Sequence, residues 1–211
     1  MSKNYLKNMI KAGKIMSKYK YLLWDIDGTV LNFEEAEKAA IRTLFDRFHL
    51  GECSDEMLSH YIKINKKYWK LLECGKMEKE RILVERFEEF FAKEGIRTDE
   101  VKEFNKEYQL ALGDTIVFND DALEIIKAQK KNCKIIIVTN GTTIAQKKKL
   151  ERSGLDKIAD NIFISELVGF EKPNIHFFEK VIAEAGIEDV SQAVIIGDYY
   201  EIGRASCRER V

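Results

Sequence analysis

The chain has 211 residues, of which 45% are hydrophobic and 34% are charged, and its formal net charge is -1 at pH 7. This length allows one hydrophobic core together with a smaller accessory domain. A charge so close to zero gives no overall field that favours nucleic acid or an anionic membrane, and no apolar run approaches the ~18 residues that a spanning helix needs. We therefore predict neither a nucleic-acid partner nor a membrane partner.

Residues 1–17 precede the first predicted strand and are basic and mixed in character. They lack the apolar segment of a secretory signal, so we interpret them as an N-terminal extension. The four cysteines show no C-x-x-C spacing, and three histidines are too few to complete a zinc site. Free thiols are typical of a reducing cytoplasm, which is the location we predict.

Four short apolar runs predict buried strands. The runs are Tyr21–Ile26, Lys134–Val138, Ile162–Ile164 and Ala193–Ile196. A helical pattern precedes each of the last three runs, with starts predicted at Asp120 or Asp121, at Thr142 or Thr143, and at Pro173. This strand–helix–strand repetition predicts an α/β fold, in which a parallel sheet is covered by helices on both faces.

Between the first two predicted strands, residues 33–115 contain no strand-like apolar run. Apolar residues recur there at the 3.6-residue period in four stretches, which predicts four amphipathic helices. We expect this block to be an all-helical cap inserted into a core made of residues 18–32 and 116–201. Asn65, Tyr68 and Trp69 are candidate contacts of the cap with a substrate, although core packing suits Trp69 better.

The first predicted strand ends in two aspartates one residue apart, Asp25 and Asp27, followed by Gly28. Ligands bind at the carboxyl ends of the strands in open parallel sheets. Asp25 at such a place can attack phosphorus and form an aspartyl-phosphate, while Asp27 can protonate the leaving alcohol and then deprotonate water. Mg²⁺ suits such an oxygen-rich site. The alternative is a turn in which both aspartates only cap backbone amides.

The other three predicted strands also end in polar residues. Thr139, Asn140 and Gly141 follow the second strand and can hold phosphate oxygens on side-chain donors and free N–H groups. Lys172 can neutralise the nucleophile and the phosphate together, and Asp198 supplies a second carboxylate for the metal. Each signal alone also fits a polar loop, but the four strand ends together predict one phosphate-binding site.

A cluster of three lysines, Lys147, Lys148 and Lys149, lies in the helix predicted after the second strand. It lacks the interleaved aromatic residues of a nucleic-acid surface. We therefore predict that the cluster is a solvated face of that helix.

The strand ends resemble the four motifs of the haloacid dehalogenase superfamily. The matching stretches are Asp25-Ile26-Asp27-Gly28-Thr29, Thr139-Asn140, Lys172-Pro173 and Gly197-Asp198. The resemblance implies that Asp25 is the nucleophile and Asp27 the general acid/base. It implies that Thr139 and Lys172 bind phosphate, and that Mg²⁺ is held by Asp25, the Asp27 carbonyl and Asp198. A three-layer core with a C1-type cap is also implied, while the second aspartate argues against dehalogenase chemistry.

Several stretches are similar to bacterial pyrimidine 5′-nucleotidases, which belong to the same superfamily. They are residues 32–37, 61–69, 86–87, 150–155, 164–166 and 168–169. This closer resemblance implies a Mg²⁺-dependent phosphatase whose partner is a small phosphomonoester, a nucleoside 5′-monophosphate with a pyrimidine base. We expect a monomer or a weak homodimer.

The C-terminal stretch departs from the pattern of the superfamily. Members carry a further aspartate shortly after Gly-Asp, where this chain has Gly203. Residues 202–211 are rich in arginine and resemble translated vector sequence, so we expect a non-native tail that begins after about residue 201. Loss of that carboxylate would weaken the metal site.

Two alternatives stay open at this point. A phosphoglycolate or sugar phosphatase, or a phosphomutase, would use the same chemistry on another substrate. A protein of another class, an inactive fragment that binds its ligand without turnover, is suggested by the unusual C-terminus.

Overall fold

The computed structural model describes residues 18–197. They divide into two compact units, one made of residues 18–33 and 116–197 and one made of Glu34–Thr115. Asp198 and the stretch 202–211 lie outside the described residues, as does the N-terminal extension 1–17. No helix in the described range is both long and apolar enough to cross a membrane.

The first unit is built on a four-stranded sheet in the order β3-β2-β1-β4, and every pairing is parallel. The strands are β1 (Tyr21–Trp24), β2 (Lys134–Thr139), β3 (Asn161–Ile164) and β4 (Ala193–Ile196). β1 ends two residues before the predicted Ile26, because the carbonyl of Ile26 accepts hydrogen bonds from the turn that follows instead of from a neighbouring strand. All four predicted strands are present.

Helices cover both faces of this sheet, as the strand–helix pattern predicts. One face packs Leu22, Trp24 and Ile135 into a cluster with the helical residues Ile126 and Leu150. The other face packs alternate strand residues, Tyr21, Leu23 and Ile136 among them, with Phe177 and Val181. Because successive strand residues point to opposite faces, a strand that is apolar throughout requires cover on both sides. The three-layer α/β core is therefore confirmed.

The helices of the whole described chain are numbered α1 to α8. In the first unit they are α5 (Ala122–Gln129), α6 (Thr143–Ser153), α7 (Ser165–Val168) and α8 (Ile175–Glu184), with short 3₁₀ turns at Leu155–Lys157 and Val190–Gln192. α6 is capped by the Thr142 hydroxyl and ends at Gly154, whose φ of 73° suits glycine. α8 begins at Ile175, two residues after the predicted Pro173, because Asn174 is the residue whose side chain caps it.

The second unit consists of four helices, in line with the apolar stripes. They are α1 (Phe33–Arg47), α2 (Asp55–Glu73), α3 (Lys79–Glu94) and α4 (Val101–Ala111), the first of which begins at the boundary residue Phe33. Aromatic rings fill the core of this unit: Tyr61 stacks on Phe87 at 5.1 Å between ring centroids, and Tyr108 meets both edge-on.

The core of the helical unit also contains a buried polar chain. Glu37 accepts a hydrogen bond from Asn65 at 2.5 Å, and Arg86 donates to Asn65 at 2.7 Å. Asn65 and Tyr68 are both buried, whereas Trp69 is half-buried. Asn65, a candidate substrate contact in the sequence, therefore makes its side-chain hydrogen bonds in the interior of its own unit.

Candidate active site

The turn that follows β1 places the two aspartates at the carboxyl edge of the sheet. Gly28, with φ at 80°, gives the chain a sharp exit from the strand. Asn119, on the chain that returns to the sheet, donates its side-chain N–H groups to the carbonyls of Gly28, Thr29 and Leu31 at 3.0–3.2 Å. A single, partly buried side-chain amide thus holds the turn that carries Asp27.

Asp25 forms an ion pair with Lys172, which arrives from the segment before α8. The Lys172 Nζ lies 2.5 Å from Asp25 Oδ1 and 3.0 Å from the carbonyl of Val138. Both side chains are nearly buried, at 12% and 5% exposure. An ammonium group held this closely balances the carboxylate that has lost water on burial.

Asn140 fixes the backbone of Lys172. Its Oδ1 accepts from the Lys172 N–H and its Nδ2 donates to the Lys172 carbonyl, both at 2.8 Å. This two-point contact joins the end of β2 to the lysine loop. The side-chain amide of Asn140 therefore supports Lys172 in the described structure.

Asp27 is held by two side chains of α6. Lys149 Nζ lies 2.6 Å from Asp27 Oδ1, and Gln146 Nε2 lies 2.6 Å from Asp27 Oδ2. Lys149 is only 1% exposed, so its assignment to a solvated face was wrong for this member of the lysine cluster. The helical period explains the error, because Lys149 shares the inward face with Ala145 and Leu150, whereas Lys147 points to solvent.

Thr139 is the last residue of β2, and Gly141 lies in the loop between β2 and α6. The buried hydroxyl of Thr139 accepts a hydrogen bond from the Gly141 N–H at 3.2 Å. A Cβ at position 141 would overlap the side-chain amide of Gln146, so a larger residue there would displace that amide. Glycine at this position therefore allows the observed approach of Gln146.

The structure brings most of the predicted site residues to one edge of the sheet. Asp25 and Asp27 follow β1, Thr139 ends the adjacent β2, and Lys172 spans from its own loop to Asp25. Asn140 and Gly141 continue from Thr139. Asp198, the remaining predicted residue, is outside the described residues.

The charges of this edge are balanced, with the carboxylates of Asp25 and Asp27 each paired to one lysine. Carboxylate and carbonyl oxygens are the donors that Mg²⁺ prefers, so Asp25 and the Asp27 carbonyl fit this ion by their chemistry. Residues 18–197 contain no group of three or more His, Cys, Asp or Glu side chains that could hold a metal. Within the described part of the chain, the matched motifs supply the carboxylates of Asp25 and Asp27.

The sequence patterns predicted no role in this site for three residues that the structure places here: Gln146, Lys149 and Asn119. A signal existed for the first two, since both fall on the inward face of the helix that follows Thr139-Asn140-Gly141. Polar residues on such a face point toward the sheet edge that carries the aspartates. Asn119 lies 90 residues from Thr29 in the chain, and no local pattern predicts so distant a contact.

The known proteins to which this chain is similar agree with one another in being hydrolases. The family model of haloacid dehalogenase-like hydrolases matches residues 19–203. The HAD-hydrolase YfnB of Bacillus subtilis is 32% identical, covering 87% of this chain and 77% of its own length. The pyrimidine 5′-nucleotidases PynA of Streptococcus pneumoniae and YjjG of Escherichia coli are 30% and 27% identical, covering 85% and 87% of this chain and 76% and 79% of their own lengths.

Solved structures agree with these relatives. The crystal structure of YfnB bound to magnesium has a TM-score of 0.81 and 31% identity, covering 86% of this chain and 81% of its own. The L-2-haloacid dehalogenase Rha0230 has a TM-score of 0.71 at 15% identity, covering 89% of this chain and 77% of its own, a likeness of fold alone. With Asp25, Asp27, Thr139 and Lys172 at one sheet edge and a family match over residues 19–203, the chain belongs to the haloacid dehalogenase-like hydrolases.

Proposed function

We propose that this hydrolase cleaves phosphomonoesters through an aspartyl-phosphate on Asp25, and that its substrates are nucleoside 5′-monophosphates with a preference for pyrimidine bases. The observation that carries the proposal is the pairing of two aspartates, one residue apart in the chain, with two separate buried lysines at the carboxyl edge of a parallel sheet. Two carboxylates in different surroundings can take different roles in one reaction.

Asp25 is the proposed nucleophile. Lys172 holds one of its oxygens at 2.5 Å, which fixes the direction of the carboxylate before the substrate arrives. The same ammonium group can attract the transferring phosphoryl group, whose negative charge it offsets. Attack on phosphorus forms the Asp25–phosphate bond as the bond to the alcohol breaks.

Asp27 is the proposed general acid and base. Its side chain is 24% exposed, so it is the more accessible of the two carboxylates and can exchange protons with the substrate and with water. It protonates the leaving alcohol in the first step and takes a proton from the attacking water in the second. Thr139 and Gly141, at the end of the adjacent strand, are proposed to bind phosphate oxygens.

Mg²⁺ is the proposed cofactor. Asp25, the Asp27 carbonyl and Asp198 would hold it, and it would offset the negative charge of the phosphate against two carboxylates. The balanced charge of the described edge supports this need, because an incoming phosphate dianion finds no excess of positive charge there. That YfnB was crystallised with magnesium also supports it.

The substrate class is supported by the two pyrimidine 5′-nucleotidases among the relatives. In this proposal the helical unit 34–115 is the cap that covers the nucleoside, and it excludes water from the bound phosphate. A cytoplasmic location and a monomeric or weakly dimeric state are part of the same proposal.

Phosphate release tests this proposal. We expect release from UMP and dTMP in the presence of Mg²⁺, little release in EDTA, and slower release from AMP and ribose 5-phosphate. Asp25→Asn should abolish turnover, whereas Asp156→Asn, the same change at an exposed site, should leave it intact. An acid-stable, hydroxylamine-sensitive phosphate label should appear on the wild-type enzyme and be absent from Asp25→Asn.

A sugar phosphatase is the second candidate. Two archaeal glyceraldehyde 3-phosphate phosphatases match this chain at 32% and 30% identity, but over only 39% and 35% of its length. Rapid release from sugar phosphates together with none from any nucleotide would replace the nucleotide proposal with this one. Label transfer without net release would instead indicate a phosphomutase.

A further inference from the structure

Gln146 and Lys149 together engage both carboxylate oxygens of Asp27. Each places a nitrogen 2.6 Å from a different oxygen. The two donors lie three residues apart on α6, so one rigid helix sets both contacts. A carboxyl group held at both oxygens cannot rotate without losing a hydrogen bond, and the pair therefore fixes the plane of Asp27.

The positions of these two donors are costly for the fold. Both residues are 1% exposed, and burial of an ammonium group is unfavourable unless it is well paired. Gln146 Oε1 is buried and accepts no hydrogen bond from the described residues, which is unfavourable for an acceptor removed from water. The absence of a side chain at Gly141 leaves space for this amide. Stability alone does not account for the arrangement.

Lys149 is also restrained from its other side. Its Nζ lies 4.9 Å from the centroid of the Phe33 ring, within the range of a cation–π contact. The ammonium group is thus held between an aromatic face and the Asp27 carboxylate. This leaves its position, and through it that of Asp27, well defined.

We propose that Gln146 and Lys149 are positioning residues that aim the Asp27 carboxyl group at the leaving-group oxygen of the substrate. The inference rests on the proposed function, in which the Asp25–phosphorus bond forms, the phosphorus–alcohol bond breaks and the Asp27 proton passes to the alcohol oxygen. A protonated carboxyl oxygen keeps a lone pair, so the contact from an N–H donor can persist while the proton is delivered. Neither Gln146 nor Lys149 gives or takes a proton.

Leaving groups of different basicity separate this role from a structural one. An alkoxide such as that of UMP leaves only if it is protonated, whereas p-nitrophenolate leaves without a proton. A misaimed acid therefore slows the first substrate and spares the second. A distorted site slows both, because attack by Asp25 is common to the two reactions.

The experiment compares kcat/KM for UMP and for p-nitrophenyl phosphate, both with Mg²⁺, in wild type, Asp27→Asn, Lys149→Met, Lys149→Arg and Gln146→Met. Asp27→Asn should lower kcat/KM for UMP about 10²–10⁴-fold and mark the full effect of the acid. Lys149→Met and Gln146→Met should lower it about 10–100-fold, the cost of slight misplacement, with less than about threefold loss on the aryl ester. Lys149→Arg should recover most of the activity on UMP, and Gln146→Met should not lower the melting temperature.

Two results would overturn the inference while leaving the proposed function in place. One is an equal loss of kcat/KM on both esters in Lys149→Met and Gln146→Met. The other is no loss of kcat/KM for UMP in either variant. In both cases Asp27→Asn would still lower kcat/KM for UMP more than for the aryl ester. If the wild type cleaves neither ester, the proposed function itself fails, and the inference fails with it.

Discussion

At the scale of single residues, the site depends on ion pairs that are removed from water. Asp25 and Lys172 are the more buried pair, with 12% and 5% of their side chains exposed. A buried pair adds little net stability compared with apolar residues, but removal of one partner leaves a charge that the interior solvates poorly. The two members should therefore be strongly coupled in stability as well as in catalysis.

Lys172→Met tests this coupling. We expect its kcat/KM on p-nitrophenyl phosphate to fall about 10²–10³-fold, because the transferring phosphoryl group loses a preorganised positive charge. We also expect a loss of about 3–5 kcal/mol in the free energy of unfolding, because Asp25 loses its buried cation. Activity assays and urea titrations at pH 7 measure the two effects.

The double variant Asp25→Asn/Lys172→Met is the matched control. Asparagine carries no charge, so the double variant should be more stable than Lys172→Met alone although it has lost a further native group. Equal or lower stability of the double variant would mean that the pair is not coupled in this way.

At the scale of elements, the turn after β1 depends on one amide from a distant part of the chain. Asn119 donates to three carbonyls of this turn, and its own N–H donates to the carbonyl of Val30 at 2.9 Å. In these side-chain contacts Asn119 acts only as a donor. Replacing it with a residue of the same shape that can only accept should therefore destabilise the fold more than truncating it to alanine.

Comparison of Asn119→Asp with Asn119→Ala tests this expectation. Alanine leaves the carbonyls without their donor, at a cost of about 1–3 kcal/mol in the free energy of unfolding. Aspartate adds a carboxylate oxygen next to carbonyl oxygens, which is repulsive, so Asn119→Asp should be less stable than Asn119→Ala at pH 7. The difference in unfolding free energy between the two variants should narrow in acid as the introduced carboxylate becomes protonated. Equal stability of the two variants at pH 7 would contradict the role of Asn119 as a donor to the turn.

The elements also explain how far the sequence could be interpreted. Apolar runs predict the four strands, because a parallel strand is buried on both faces and its pattern is local. The same holds for Asp25 and Asp27, which immediately follow such a run. Lys149 was missed because a lysine is normally solvated, and only the inward face of α6 reveals that its partner is Asp27.

At the scale of the whole molecule, the two units have separate cores of different character. The sheet unit is packed mainly by aliphatic residues, whereas the helical unit buries a polar chain among aromatic rings. Within that chain, Arg86 lies 5.1 Å from the ring centroid of Tyr108 and donates to Asn65 and Asn105. Titration of the buried groups should therefore affect the two units unequally.

Glu37 is the group that should make the helical unit sensitive to pH. Burial, with 2% of the residue exposed, raises the pKa of Glu37 from 4.5 to about 7, and the hydrogen bond from Asn65 and the charge of Arg86 only partly oppose this. Because the folded state binds the proton more tightly, the stability from this group is present below pH 4.5 and is lost as the pH rises toward 7. The loss amounts to about 3 kcal/mol at most.

Glu37→Gln should remove this dependence, since glutamine has the shape and neutrality of the protonated acid and can still accept from Asn65. We expect similar unfolding free energies for the variant and the wild type near pH 4.5, and a more stable variant at pH 8. Amide hydrogen exchange localises the effect: protection in α1–α4 should differ between the two proteins at pH 8, whereas protection in β1–β4 should not. Parallel pH profiles for variant and wild type would show that Glu37 titrates normally, and an equal change in both units would show that they unfold as one.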